Sequence, residues 1–187
     1  GKKYVKAFGK TYENMIIGHG DVASALKDLP AGRHGRRGWT LFAAGVSNSR
    51  ETRESEYQRE IDLLMKQNKN KHIVYFSSLS VFYLDTRYTK HKKHMETLIK
   101  KNFKHYAIIR MGNITWGKNP HTIINFLRNR YKLGKPLEIQ NTYRYIADKD
   151  EFLHWTNLIP EWPCEMNIPG KTMKVKEIAE KIKSGNL

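Results

Sequence analysis

The stretch Ile73-Val-Tyr-Phe-Ser-Ser-Leu-Ser-Val-Phe82, followed after a short polar link by Tyr88-Thr-Lys-His-Lys92, decides how the rest of the chain is read. Its first half is an apolar, β-rich run ending in two serines, Ser77 and Ser78. A parallel strand buried on both faces has this composition, and it delivers polar side chains at its C-terminal end. The second half opens a helix. Tyr88 and Lys92 stand four residues apart and therefore share one helical face. An ammonium one turn from a phenol favours the phenolate, and a serine hydroxyl at the strand end can hold the oxygen that gains or loses a proton. The same spacing also occurs on plain surface helices, so the neighbouring segments must decide between a proton-transfer site and a solvated face.

Upstream, Asn14-Met-Ile-Ile-Gly18-His19-Gly20-Asp21-Val22-Ala23 runs from a short apolar strand through Gly-x-Gly-x-x-Ala into a helical pattern. That is the context a dinucleotide fingerprint requires. Gly18 permits the tight turn, Gly20 lets a pyrophosphate approach the backbone, and Ala23 allows close helix–strand packing. The alternative is an ordinary glycine-rich strand–helix turn. Leu29-Pro-Ala-Gly32 ends the helix, and Arg33-His-Gly-Arg36-Arg37-Gly forms a basic loop. Trp39-Thr-Leu-Phe-Ala-Ala44-Gly45 reads as the next buried strand. Between Met15 and Gly45 there is room for one βαβ unit, and no acidic residue ends an intervening strand where a ribose-binding acid is expected.

Downstream, residues 50–68 predict a charged helix with Tyr57, Ile61, Leu64 and Met65 on one stripe and its Arg and Glu residues on a solvated face. Further strands are expected over 105–111, 136–140, 143–146 and 165–168, and helices over 120–133, 148–158 and 174–183. Strands alternating with helices predict an α/β protein with a parallel sheet. The 187 residues suit a single domain, 1–187, with its substrate-side portion supplied mainly by about 113–187. Residues 1–13 are basic and aromatic and fit no element.

The charge balance is strongly positive, 34 Lys+Arg against 18 Asp+Glu, a net +16. Such a surface attracts phosphates, whether of nucleic acid, an anionic membrane or small molecules. The charge is dispersed rather than gathered in a tail, so weak, non-specific nucleic-acid binding is the most it implies. The single cysteine, Cys164, excludes an internal disulfide and suits a reducing cytoplasm. It has no partner spacing for zinc, and no metal site is expected. No apolar run approaches the length of a membrane span, and Gly1-Lys-Lys-Tyr lacks the apolar core of a signal peptide.

The order of these motifs resembles the short-chain dehydrogenase/reductase superfamily, in the extended branch of NAD-dependent epimerases and dehydratases acting on nucleotide sugars. The resemblance runs through residues 14–183. Gly18-His19-Gly20-Asp21-Val22-Ala23 is similar to the cofactor turn, and Phe42-Ala-Ala44-Gly45 to the strand end beside the cofactor. Alignment on Val81-Phe82 makes Ser78, rather than Ser77, resemble the catalytic serine, and Tyr88 and Lys92 match Tyr-x-x-x-Lys. Ile109-Arg-Met-Gly-Asn113-Ile-Thr-Trp-Gly117 resembles a segment whose Asn faces the substrate, and Arg144-Tyr-Ile-Ala-Asp-Lys-Asp150 one whose Arg binds a nucleotide-sugar phosphate.

The resemblance implies a Rossmann-like sheet, shortened by loss of the adenosine-side strands, and hydride transfer with NADP or NAD. Tyr88 would be the general acid/base. Lys92 would lower its pKa and bind the nicotinamide ribose, Ser78 would hold the substrate oxygen, and Asn113 and Arg144 would contact the substrate. A homodimer is compatible with this reading. Arg33, Arg36 and Arg37 either replace the missing strands as a site for a 2′-phosphate or form a solvated turn. His91 and His94 read as surface residues. The competing hypothesis is a catalytically idle relative, a nucleotide sensor or basic nucleic-acid-binding module. The retained Ser–Tyr–Lys set opposes it.

Overall fold

The protein is described by a computed structural model covering residues 14–30, 38–137 and 139–187. Five parallel strands form the main sheet in the order β1 (Met15–Ile17), β2 (Thr40–Phe42), β3 (Ile73–Ser78), β4 (Tyr106–Met111) and β7 (Cys164–Ile168). Helix α1 (Asp21–Leu26) connects β1 to β2, α2 (Glu54–Met65) connects β2 to β3, and α3 (Arg87–Asn102) connects β3 to β4. This is the expected shortened Rossmann-like sheet. β1 pairs directly with β2, and no strand among the described residues lies on its other side. The central pairing aligns Ile73 with Tyr106 and continues in register to Ser78 opposite Met111.

Alternation along β3 separates the two faces. Val74 and Phe76 pack with Leu41, Ile109, Leu26 and Phe152, under α1 and α5 (Lys149–Asn157). Ile73 and Tyr75 pack with Phe42, Leu64, Met95 and Ile99, under α2 and α3. Because successive strand side chains point to opposite faces, Tyr75 and Ser77 are both presented to the α2–α3 layer.

A smaller sheet joins β5 (Asn113–Ile114), β6 (Tyr143–Ala147) and β8 (Lys171–Lys174), with β6 antiparallel to β8. Ile146 and Met173 pack there against α4 (Ile123–Lys132) and α6 (Val175–Lys183). The expected strand over 136–140 is not formed by the described residues there, whereas β5 and β8 were not anticipated from the sequence. Both are too short or too polar for a pattern of alternating hydrophobicity to announce them.

The rotation of α3 is fixed at both ends. Thr86 caps its start in a reciprocal box with Thr89, placing Tyr88 in the first turn. Further along, Glu96 is buried and takes both arms of Arg110 from β4, at 3.0 and 2.6 Å. Ser77 donates to Glu96 at 2.6 Å, and Arg110 also reaches Glu165 on β7 at 2.5 Å. Tyr88, Lys92 and Glu96 thus occupy successive turns of one helix face, and the last of them is bolted to β3 and β4 directly and to β7 through Arg110.

Candidate active site

Ser78 ends β3 and caps the short 3-10 turn Leu79–Phe82. Its Oγ accepts from the Ser80 N–H at 3.2 Å and lies 2.7 Å from Ser80 Oγ. The same hydroxyl favours the ionised form of the Tyr88 phenol through hydrogen bonding. Ser77 is committed to Glu96, which leaves Ser78 as the serine facing the site.

Lys92 is almost fully buried. Its Nζ lies 5.5 Å from the Tyr88 ring centroid and 5.2 Å from that of Tyr75. It donates to Glu60 Oε1 and to the Tyr75 hydroxyl, both at 3.1 Å. Glu60, on α2, is fully buried and is also reached by Tyr75 Oη at 2.6 Å, the Val46 N–H at 2.8 Å and His91 Nε2 at 2.9 Å. Burial alone would raise the Glu60 pKa, but the Lys92 ammonium and these hydrogen bonds overcome it and hold the carboxyl well below the usual carboxylate range. Burial would likewise lower Lys92, and the Glu60 carboxylate instead carries it above an ordinary lysine.

Three expectations change here. Glu60 is not part of a solvated helix face, and His91 is buried rather than superficial; His94 is exposed as expected. Lys92 does not leave Tyr88 with a depressed pKa. Burial pushes the phenol above the ordinary tyrosine range; Lys92 and Ser78 pull it down, and Glu60 works against them. The physical reason is first the burial of the phenol, which the Lys92 charge, itself paired with the buried Glu60 carboxylate, does not overcome.

The glycine turn lies alongside. Gly18 has φ +119°, and a Cβ there would sit 2.5 Å from the Ala43 carbonyl oxygen. Gly20 has no atom within 4 Å of its would-be Cβ, so the turn is open on that side. His19 is exposed and Val22 half-buried. The Asp21 carboxylate accepts from the Lys118 and Asn119 N–H groups at 3.0 and 2.8 Å, and Trp116 Nε1 donates to the Asp21 carbonyl at 3.1 Å. In this structure Asp21 fastens the loop after β5 to the glycine turn. A Cβ at Gly45 would lie 2.6 Å from Lys92 Nζ, and Arg59 binds the Ala44 carbonyl at 3.1 Å. The turn after β2 is therefore held by α2 and brought against the lysine.

Asn113 and Arg144 lie outside this cluster. Asn113 Nδ2 donates to the Tyr145 carbonyl at 3.1 Å. Arg144 Nη1 donates to Thr142 Oγ1 and the Tyr143 carbonyl, and its Nη2 to Gln140 Oε1. Its charge reaches Tyr83, whose ring lies 6.1 Å from that of Tyr145. The aromatic pair joins the turn after Ser78 to β6, so Arg144 borders the site without touching its centre. Arg33, Arg36 and Arg37 lie outside the described residues, as does the segment 1–13. No group of His, Cys, Asp and Glu among the described residues could hold a metal ion, and no described helix is long and apolar enough to cross a membrane.

Comparison with known proteins rests on this geometry, because no family model and no curated protein matches the chain. Solved structures do match. RMD from Pseudomonas aeruginosa, complexed with NADPH, superposes with a TM-score of 0.67 at 16% identity, covering 91% of this chain and 82% of its own. The Bordetella bronchiseptica enzyme WbmG, in complex with NAD and UDP, gives 0.63 at 14% identity over 79% of this chain and 56% of its own. The UDP-glucose 4-epimerase of Thermus thermophilus, complexed with NAD, gives 0.58 at 12% identity over 79% of this chain and 61% of its own. The chain has their fold. It spans little more than half the length of WbmG, so the likeness establishes the architecture and leaves activity to be argued from the residues.

Proposed function

We propose that this chain binds NAD or NADP and supplies the proton-transfer site of an epimerase, dehydratase or reductase acting on a nucleotide sugar or a similar hydroxyl/keto substrate. The observation that carries the reading is the convergence of Ser78, Tyr88 and Lys92 at the C-terminal end of β3, against the Ala44–Gly45 turn, whose backbone Gly18 in turn approaches. Ligands of open α/β sheets bind outside the carboxyl ends of the strands. The residues present fit a dinucleotide: Gly20 leaves its backbone approachable, and Lys92 keeps one N–H beyond the two given to Glu60 and Tyr75. The structures of RMD, WbmG and the Thermus epimerase, each with NAD or NADPH, support the same reading.

In this proposal the dinucleotide, when bound, takes or gives a hydride. Tyr88 moves the proton at the substrate oxygen. Ser78 Oγ holds that oxygen, and Lys92 binds the ribose while favouring the phenolate. Arg144 and the Tyr83–Tyr145 pair bound the side where the nucleotide portion of the substrate lies. The test is to incubate the protein with a panel of UDP-sugars and either dinucleotide, following products by proton NMR. Conversion of a sugar supports the reading, and inertness towards the whole panel with both dinucleotides counts against it.

The two turn glycines separate folding from ligand binding. Gly18→Ala forces a side chain into a positive-φ position and onto the Ala43 carbonyl, costing about 1–3 kcal/mol of stability. Gly20→Ala meets no atom within 4 Å. Its melting temperature should stay near wild type, while dinucleotide affinity falls by about tenfold or more, because the methyl stands where the pyrophosphate approaches. Calorimetric titration and thermal melts of both variants check the contrast.

A further inference from the structure

Glu60 is the most heavily bonded buried side chain near the site, and nothing in the proposed reaction uses it. It accepts from four groups on three different segments: Tyr75 on β3, Val46 in the turn after β2, and His91 and Lys92 on α3. We propose that Glu60 is a positioning residue: its carboxylate is the counter-ion of Lys92, fixing where the ammonium sits and how much of its charge reaches the Tyr88 phenol.

The geometry carries this beyond an ordinary structural ion pair. Two of the three Lys92 N–H groups point to one side, towards Glu60 Oε1 and Tyr75 Oη, at 3.1 Å each. Tyr75 itself donates to the same Glu60 oxygen, so its hydroxyl is turned to accept from the lysine. The third N–H is uncommitted among the described residues, and Gly45 lies close against the Nζ. Lys92 is thus oriented as well as neutralised. The groups around the phenol and the ammonium are Glu60 and Tyr57 from α2, Tyr75 and Ser78 from β3, and His91 and Glu96 from α3. Of these, Glu60 is the carboxylate in direct contact with the ammonium. That carboxylate opposes ionisation of the Tyr88 phenol, which the Lys92 ammonium favours.

The inference takes its functional meaning from the reading of Tyr88 as acid/base, but its test requires no substrate. Protein carrying carbon-13 at the tyrosine Cζ is titrated by NMR, with the Tyr88 signal identified by its loss in Tyr88→Phe. In Glu60→Gln the Tyr88 midpoint should move down from wild type, because the carboxylate that opposes ionisation of the phenol is gone. An unchanged or higher midpoint overturns the proposal. Tyr75→Phe is the structural control: it disturbs the same network but leaves both charges, so the midpoint should not follow Glu60→Gln. An equal downward shift there would assign the effect to loosened packing and sink the idea. Should Glu60→Gln fail to fold, the wild-type protein still decides. The Lys92 Cε signal, identified through Lys92→Arg, should remain that of an ammonium above the pH at which surface lysines titrate; titration alongside them contradicts the pairing. A protein that turns over no nucleotide sugar loses the proposed function but still answers this question.

Discussion

Tyr88→Phe should lower turnover by about 10²–10⁴-fold while leaving dinucleotide affinity nearly unchanged, the signature of removing a general acid/base and nothing else. The ring stays, so the face it shows to Lys92, 5.5 Å away, is preserved. Only the ionisable oxygen is lost, together with its interaction with Ser78. Because burial holds the phenol above the ordinary tyrosine range, any turnover by the wild-type protein should still be rising with pH through the neutral range when the phenolate is the required form. Tyr88→Phe should abolish that rise. Steady-state rates across pH, with the affinity taken from calorimetry, separate the two effects. Full activity in Tyr88→Phe removes the assignment.

The second large effect concerns folding. Arg110→Leu should destabilise the protein by about 3–5 kcal/mol, since it strands the buried Glu96 carboxylate with the Ser77 hydroxyl as its remaining partner among the described residues. For a chain of this size that corresponds to a fall of roughly 6–20 °C in melting temperature. The further substitution Glu96→Leu should recover much of the loss, because replacing a whole buried ion pair by apolar residues is often neutral. Glu165 retains Lys100 as a partner in either variant. Melts followed by circular dichroism test both statements. A single variant melting within about 2 °C of wild type would mean that the network does not anchor α3.

The main sheet was legible because its strands obey simple patterns. The apolar run 73–76, the small residues at 43–45 and the β-branched 106–111 segment each read as part of a buried parallel strand or its end, and the sheet contains β2, β3 and β4 there. That no strand among the described residues lies beyond β1 was also legible, as a distance: too few residues separate Gly18 from Gly45 for more than one helix. What escaped was the charge inside the core. Glu60 is three residues after Tyr57 and four before Leu64, both buried, so the period of α2 places it on the inner stripe. His91 and Glu96 sit likewise between Tyr88, Lys92 and Ile99 on α3. Such residues read as solvated because isolated charges are seldom buried, and helical period alone does not reveal that partners on other segments will satisfy them. Glu60 needs Tyr75, Val46 and Lys92 from three segments, and Glu96 needs Arg110 from β4. Those pairings are properties of the assembled fold.

Whether this shortened fold still holds a dinucleotide against Tyr88 and Lys92 is decided by calorimetric titration of NADH and NADPH into the wild-type protein and into Lys92→Met. Saturable binding of at least one of them at a single site is expected, weakened by about tenfold or more in a folded Lys92→Met protein through loss of the charged hydrogen bond to the ribose. Absence of saturable binding of either dinucleotide at millimolar concentration, or binding that Lys92→Met leaves unchanged, would contradict the proposed role of this site.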